Sequence, residues 1–104
     1  MSEAISKIKT LKELAELGKE DETILKTIDK LMEYKIEQLK KDLKEIKNKL
    51  SIFEKKYKMS SKNFIKKFES GELGDDISFI QWSSLYDMYT RIESRLNSIR
   101  SIKG

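Results

Sequence analysis

Four carboxylates, Glu69, Glu72, Asp75 and Asp76, crowd around a two-glycine stretch, S-G-E-L-G-D-D. Paired carboxylates can hold a hard divalent cation or divide acid and base duties between them. The same residues also suit a plainer role. An Asp just before an apolar run is a helix N-cap, and two glycines permit the left-handed backbone of a tight connector. No second carboxylate cluster and no His supports a metal, so we read the group as a cap and a solvated turn. No catalytic, metal-binding or cofactor-binding residue is assigned.

Two further sets of side chains could bind rather than react. Lys40, Lys41, Lys44, Lys47 and Lys55 sit in a basic middle section, where residues 35–67 hold 12 Lys and 4 acids, net +8. The flanks, 1–34 and 68–104, are each net −2. Clustered lysines are the electrostatic footprint of nucleic-acid binding. They are also what the solvated face of a lysine-rich coiled coil looks like, and Glu37, Asp42, Glu45 and Glu54 interrupt them. The third set is aromatic. Between Ile77 and Tyr89 the chain is apolar on almost every side of a helix, through Phe79, Ile80, Trp82, Leu85, Tyr86 and Met88. One antiparallel partner buries one stripe, so Phe79 and Tyr86 need a second covering surface. Either a neighbouring helix bearing Phe64, Phe68 and Leu73 covers them, or another protein does, for which Trp, Tyr and Met are typical anchors.

Composition narrows the field. The 104 residues contain no Cys, no His and no Pro. That removes disulfides, thiolate chemistry, the commonest general base and the commonest metal ligand. No phosphate-cradling glycine loop, zinc-protease motif or nucleophile elbow occurs. Apolar runs stop at two residues, so neither a membrane span nor a signal-peptide core is expected. The expectation is a non-enzymatic, soluble, cytoplasmic protein without a cofactor. Charged residues are as abundant as hydrophobic ones, 38% each. The core must then be a thin strip between helices, and self-association as a dimer is a natural expectation.

These side chains need an all-α scaffold. Residues 22–58 lack Gly and Pro and carry Ile36, Leu39, Leu43, Ile46, Leu50, Phe53 and Tyr57 in alternating steps of three and four, the seam of a coiled coil. Residues 77–101 repeat that rhythm with Trp82, Leu85, Tyr89, Ile92, Leu96 and Ile99. A short helix over 60–70, capped by Ser60 or Ser61 and stopped by Gly71, reverses the chain between them. The two seams are expected to pair as a long antiparallel, coiled-coil-like hairpin in a single helical domain over 1–104. A first helix over 2–17 can be capped by Ser2 and ended by Gly18, with Ile5, Ile8, Leu11, Leu14 or Ala15, and Leu17 as its stripe. At about four turns it is marginal alone and must dock. Asp21 is a plausible cap for the long helix.

The run M-S-S-K-N-F-I-K-K-F-E-S-G-E-L-G-D-D (59–76), followed by F-I-Q-W-S-S-L-Y-D-M-Y (79–89), resembles a family of short prokaryotic helical proteins. Its members carry MSxxxFxxxFxxGELGDD and then WxxLYDMY, after a long helix ending in F-E-x-x-Y, here Phe53, Glu54 and Tyr57. The resemblance covers roughly residues 53–92. It implies an antitoxin-like partner of small ribonuclease-like toxins of the TumE type. Glu72, Asp75, Asp76, Phe79, Trp82, Tyr86 and Tyr89 are then the expected partner-binding residues, the carboxylates standing in for RNA phosphates. Lys58 and Asn63 depart from the Gly and Glu of the family pattern. Lys58 makes a left-handed break harder, and Asn63 removes a capping box with Ser60. A basic coiled-coil nucleic-acid binder and a structural oligomerisation domain are the rival readings.

Overall fold

The computed structural model describes residues 3–18 and 22–103. Ser2 and Asp21 as caps, and the side chain of Ala15, lie outside the described residues. The chain is all-α. The described residues form four helices, α1 (Glu3–Gly18), α2 (Glu22–Tyr57), α3 (Ser61–Glu69) and α4 (Ile77–Lys103), and no strand. Among the described residues no helix is long and apolar enough to cross a membrane. The long helices α2 and α4 pack closely. The residues fall into two compact units, one of 1–41 with 92–104 and one of 42–91.

In the first unit the buried side chains are Ile5 of α1, Ile28, Met32 and Leu39 of α2, and Leu96 and Ile99 of α4. Lys103 Nζ meets Glu33 Oε1 at 3.2 Å, so the end of α4 lies beside the early turns of α2. Lys12 Nζ donates to the Ile102 carbonyl at 2.6 Å. That carbonyl is among the last of α4, which has no partner within its own helix, and a lysine there also favours the negative end of the dipole. α1 therefore docks on its own chain. Leu11, Leu14 and Leu17 nevertheless remain exposed.

In the second unit Lys47 lies against Tyr89, Phe53 against Trp82 and Tyr57 against Phe79. Numbers rise along α2 as they fall along α4, which makes the pair antiparallel. The reversal is built from local chemistry. α2 ends where Lys58 takes φ +54° and the Met59 N–H donates to the Glu54 carbonyl at 3.3 Å. This is the left-handed stop that glycine makes most easily, here carried by a lysine. Ser60 then caps α3, its hydroxyl accepting from the Asn63 N–H at 3.1 Å. Gly71, at φ +83°, ends α3 with the paired bonds of a Schellman turn: Glu72 N–H to the Lys67 carbonyl and Gly71 N–H to the Phe68 carbonyl. Gly74 also has positive φ. Asp76 caps α4, its Oδ1 accepting from the Ser78 N–H at 2.8 Å.

Candidate partner-binding surface

The second unit is built around Trp82, whose side chain is fully buried, 0% exposed. Phe64 of α3 lies flat against it, ring centroids 3.8 Å apart and planes 6° apart. Phe53 and Tyr57 of α2 stack on it at 5.6 Å each. Phe64 in turn meets Phe68 and Phe79. Each such pair is worth about 0.5–1.5 kcal/mol beyond the area it buries.

A buried indole also needs an acceptor for its N–H. Trp82 Nε1 donates to Ser61 Oγ at 2.8 Å. Ser61 Oγ donates to Glu54 Oε2 at 2.9 Å, and the Ser61 backbone N–H donates to the same oxygen at 2.8 Å. Ser61 opens α3, so its N–H has no intrahelical partner, and a carboxylate is favoured at that positive end. Glu54 reaches across from α2 and does part of what a capping-box glutamate on α3 would do. The relay joins α2, α3 and α4, and no buried side-chain polar atom among the described residues lacks a partner.

This arrangement separates the residues expected at a partner surface. Trp82 is interior; Phe64 and the relay hold it there, so it shapes the surface from behind. Phe79 is half-buried against Tyr57 and Phe64. Phe64 of α3 thus supplies the second cover for Phe79, while Ile77, Ile80 and Met88 of the same run stay exposed. Asp76 is exposed but engaged as the α4 cap. Glu72 and Asp75 are exposed on the connector. Among the described residues no three acidic side chains converge into a metal site. Tyr86 and Tyr89 stack on each other, centroids 6.0 Å apart. With Lys47 and Lys62 they line a cleft of about 390 Å³ floored by Leu50, Glu54 and Ser61. Of the lysines, Lys40 and Lys41 belong to the first unit, where Lys40 pairs with Glu37 at 3.5 Å. Lys44, Lys47 and Lys55 belong to the second and are exposed.

No family model matches the chain, and no curated protein or solved structure matches it.

A second exposed surface, of which the sequence singled out only Phe53, Ile80 and Leu85 and for other roles, lies between α2 and α4. Ile52 of α2 is 68% exposed and Ile80 of α4 is 48% exposed. With Phe53 and Leu85 they form an apolar groove of about 460 Å³ between the two helices, edged by Lys49, Gln81 and Ser84. Ile52 lies one step off the Leu50–Phe53 seam, which marks it as a residue the hairpin itself leaves uncovered. Glu54 and Ser61 were named, as part of the F-E-x-x-Y segment and as a candidate cap, but their link to Trp82 was not foreseen. The available signal was the lone Trp beside a helix start: a buried indole requires an acceptor close at hand.

Proposed function

We propose that the chain is a non-enzymatic protein-binding module, and that the apolar groove of Ile52, Phe53, Ile80 and Leu85 receives the partner. The observation that carries the proposal is the outward placement of Ile52 and Ile80 on a frame whose larger aromatics are already satisfied. Exposed isoleucines in a concave strip lose solvent contact only when another chain covers them, at about 25 cal/mol per Å² of apolar area removed from water. Glu72 and Asp75 lie on the connector that leads into the same helix, so a partner seated near Ile77 and Ile80 also meets carboxylates.

The resemblance of residues 53–92 to antitoxin-like helical proteins gives the partner its proposed identity, a small ribonuclease-like toxin. Its basic RNA-binding surface suits Glu72 and Asp75. The test is coexpression with the product of the adjacent gene, if that product is a small ribonuclease-like protein. The native chain should co-purify with it and relieve its toxicity. Ile52→Glu/Ile80→Glu should abolish co-purification, and Glu72→Lys/Asp75→Lys should weaken it. Undiminished binding by both variants removes this surface from the interface. Trp82→Ala is unsuitable as a probe because it empties the core.

A second copy of the chain is also a proposed partner. The exposed Leu11, Leu14 and Leu17 on α1 favour it, Leu17 reaching 78% exposure.

A further inference from the structure

We propose that the cleft between Lys47, Lys62, Tyr86 and Tyr89 binds single-stranded RNA, independently of the apolar groove. Three features converge there. First, Lys44, Lys47, Ser51 and Lys55 follow one another in steps of three and four, so they share one face of α2. At 1.5 Å per residue this stripe is about 16 Å long, enough to follow several phosphates. Most of the second unit's acids lie away from it. Asp42 and Glu45 fall outside the stripe's spacing. Asp87 is paired with Arg91 at 2.9 Å. Glu69, Glu72, Asp75 and Asp76 lie at the far end of α3 and on the connector. Glu54 is the one acid that lines the cleft; its Oε2 is held by two hydrogen bonds from Ser61, and Lys47 and Lys62 beside it leave the lining net positive.

Second, the stripe borders an open cleft walled by the stacked, half-buried rings of Tyr86 and Tyr89, with Lys62 contributed from α3. Third, Lys47 Nζ stands over the Tyr89 ring, 5.9 Å from its centre, so the ammonium that would meet a phosphate and the ring that would meet a base are held together. Lysines along a backbone track with aromatic platforms for unpaired bases are the recurring design of single-strand binders. A duplex hides its base faces and can use only the lysines. An acidic peptide gains charge pairing but offers no flat ring to stack on the tyrosines.

The test is fluorescence anisotropy of a labelled twelve-nucleotide oligouridylate titrated with the full chain over a range of salt. The native chain should bind, with log K falling against log salt at a slope of about −2 or steeper, since each lysine–phosphate contact on a single strand contributes about −0.7. Lys44→Gln/Lys47→Gln/Lys62→Gln should reduce that slope by about 2. These side chains are exposed, so helical circular dichroism should not change. Tyr86→Leu/Tyr89→Leu should weaken binding about tenfold or more without altering the slope, while Tyr86→Phe/Tyr89→Phe retains affinity. The Ile52→Glu/Ile80→Glu variant should bind RNA like the native chain, which separates this inference from the groove. Displacement by polyglutamate as effective as by the oligonucleotide overturns it, as does an unchanged slope in the lysine variant. Should the Leu variant unfold, the lysine variant and the Phe variant still decide.

Discussion

Replacing Ser61 by Ala tests the frame on which both proposed binding surfaces rest. The Ser61 hydroxyl accepts the Trp82 N–H at 2.8 Å and donates to Glu54 at 2.9 Å, and Ser61 is only 3% exposed. Its removal leaves a fully buried indole N–H without an acceptor, which costs about 1–3 kcal/mol. It also deletes one of the two bonds to the Glu54 carboxylate. The other, from the Ser61 backbone N–H, survives in alanine, so Glu54 keeps a partner. A loss of about 2–4 kcal/mol in total is expected. For a domain of this size each kcal/mol moves Tm by about 4–8 °C, so the midpoint should fall by at least about 8 °C. Urea denaturation followed by circular dichroism and by the emission of the single Trp measures the change. Ser60→Ala, one residue earlier, removes only the N-cap and should cost about 1 kcal/mol. Trp82→Phe deletes the donor and keeps most of the ring. In a double-mutant cycle with Ser61→Ala, the coupling should be at least about 0.5 kcal/mol. A Ser61→Ala protein within about 0.5 kcal/mol of native, or zero coupling in the cycle, refutes the relay as a source of stability.

Three other outcomes follow from the same geometry. Lys58→Gly should stabilise the chain by about 1 kcal/mol, because Lys58 sits at φ +54°, where a side chain is strained; thermal melts check it. Gly71→Ala should destabilise by about 1 kcal/mol or more through φ +83° alone, since no atom lies within 4 Å of the added methyl; equilibrium urea unfolding reads it. Leu14→Glu should leave folding stability within about 0.5 kcal/mol, because the side chain is exposed. The same change should shift sedimentation toward the monomer if a second copy covers α1.

Periodicity carried the helical architecture. The strict three-four steps of α2 and α4 contain no competing Gly or Pro, so seam, helix type and antiparallel pairing follow from side-chain spacing. The stop at Gly71 was readable because glycine has one dominant local role there, whereas the cap of α4 was narrowed only to Asp75 or Asp76, and the structure uses Asp76. Lys58 was harder. The sequence marks a break there, but tertiary closure rather than propensity holds a lysine in the left-handed region. The side assignments of the aromatic run were less accessible still. Spacing puts Trp82 on the seam, but whether Phe79 faces outward depends on where α3 lies, which is a long-range property. The Glu54–Ser61–Trp82 relay joins three helices that no local pattern connects. Ile52 and Ile80 become a groove only once α2 and α4 are side by side.

The most direct measurement is acrylamide quenching of the single Trp, free and with the partner bound. The account places Trp82 behind Phe64, Phe53 and Tyr57 with its N–H on Ser61. It predicts blue-shifted emission that acrylamide hardly quenches, and the same response in the complex. A red-shifted, readily quenched emission in the free chain that becomes protected only on binding would contradict it, and would put Trp82 on the surface.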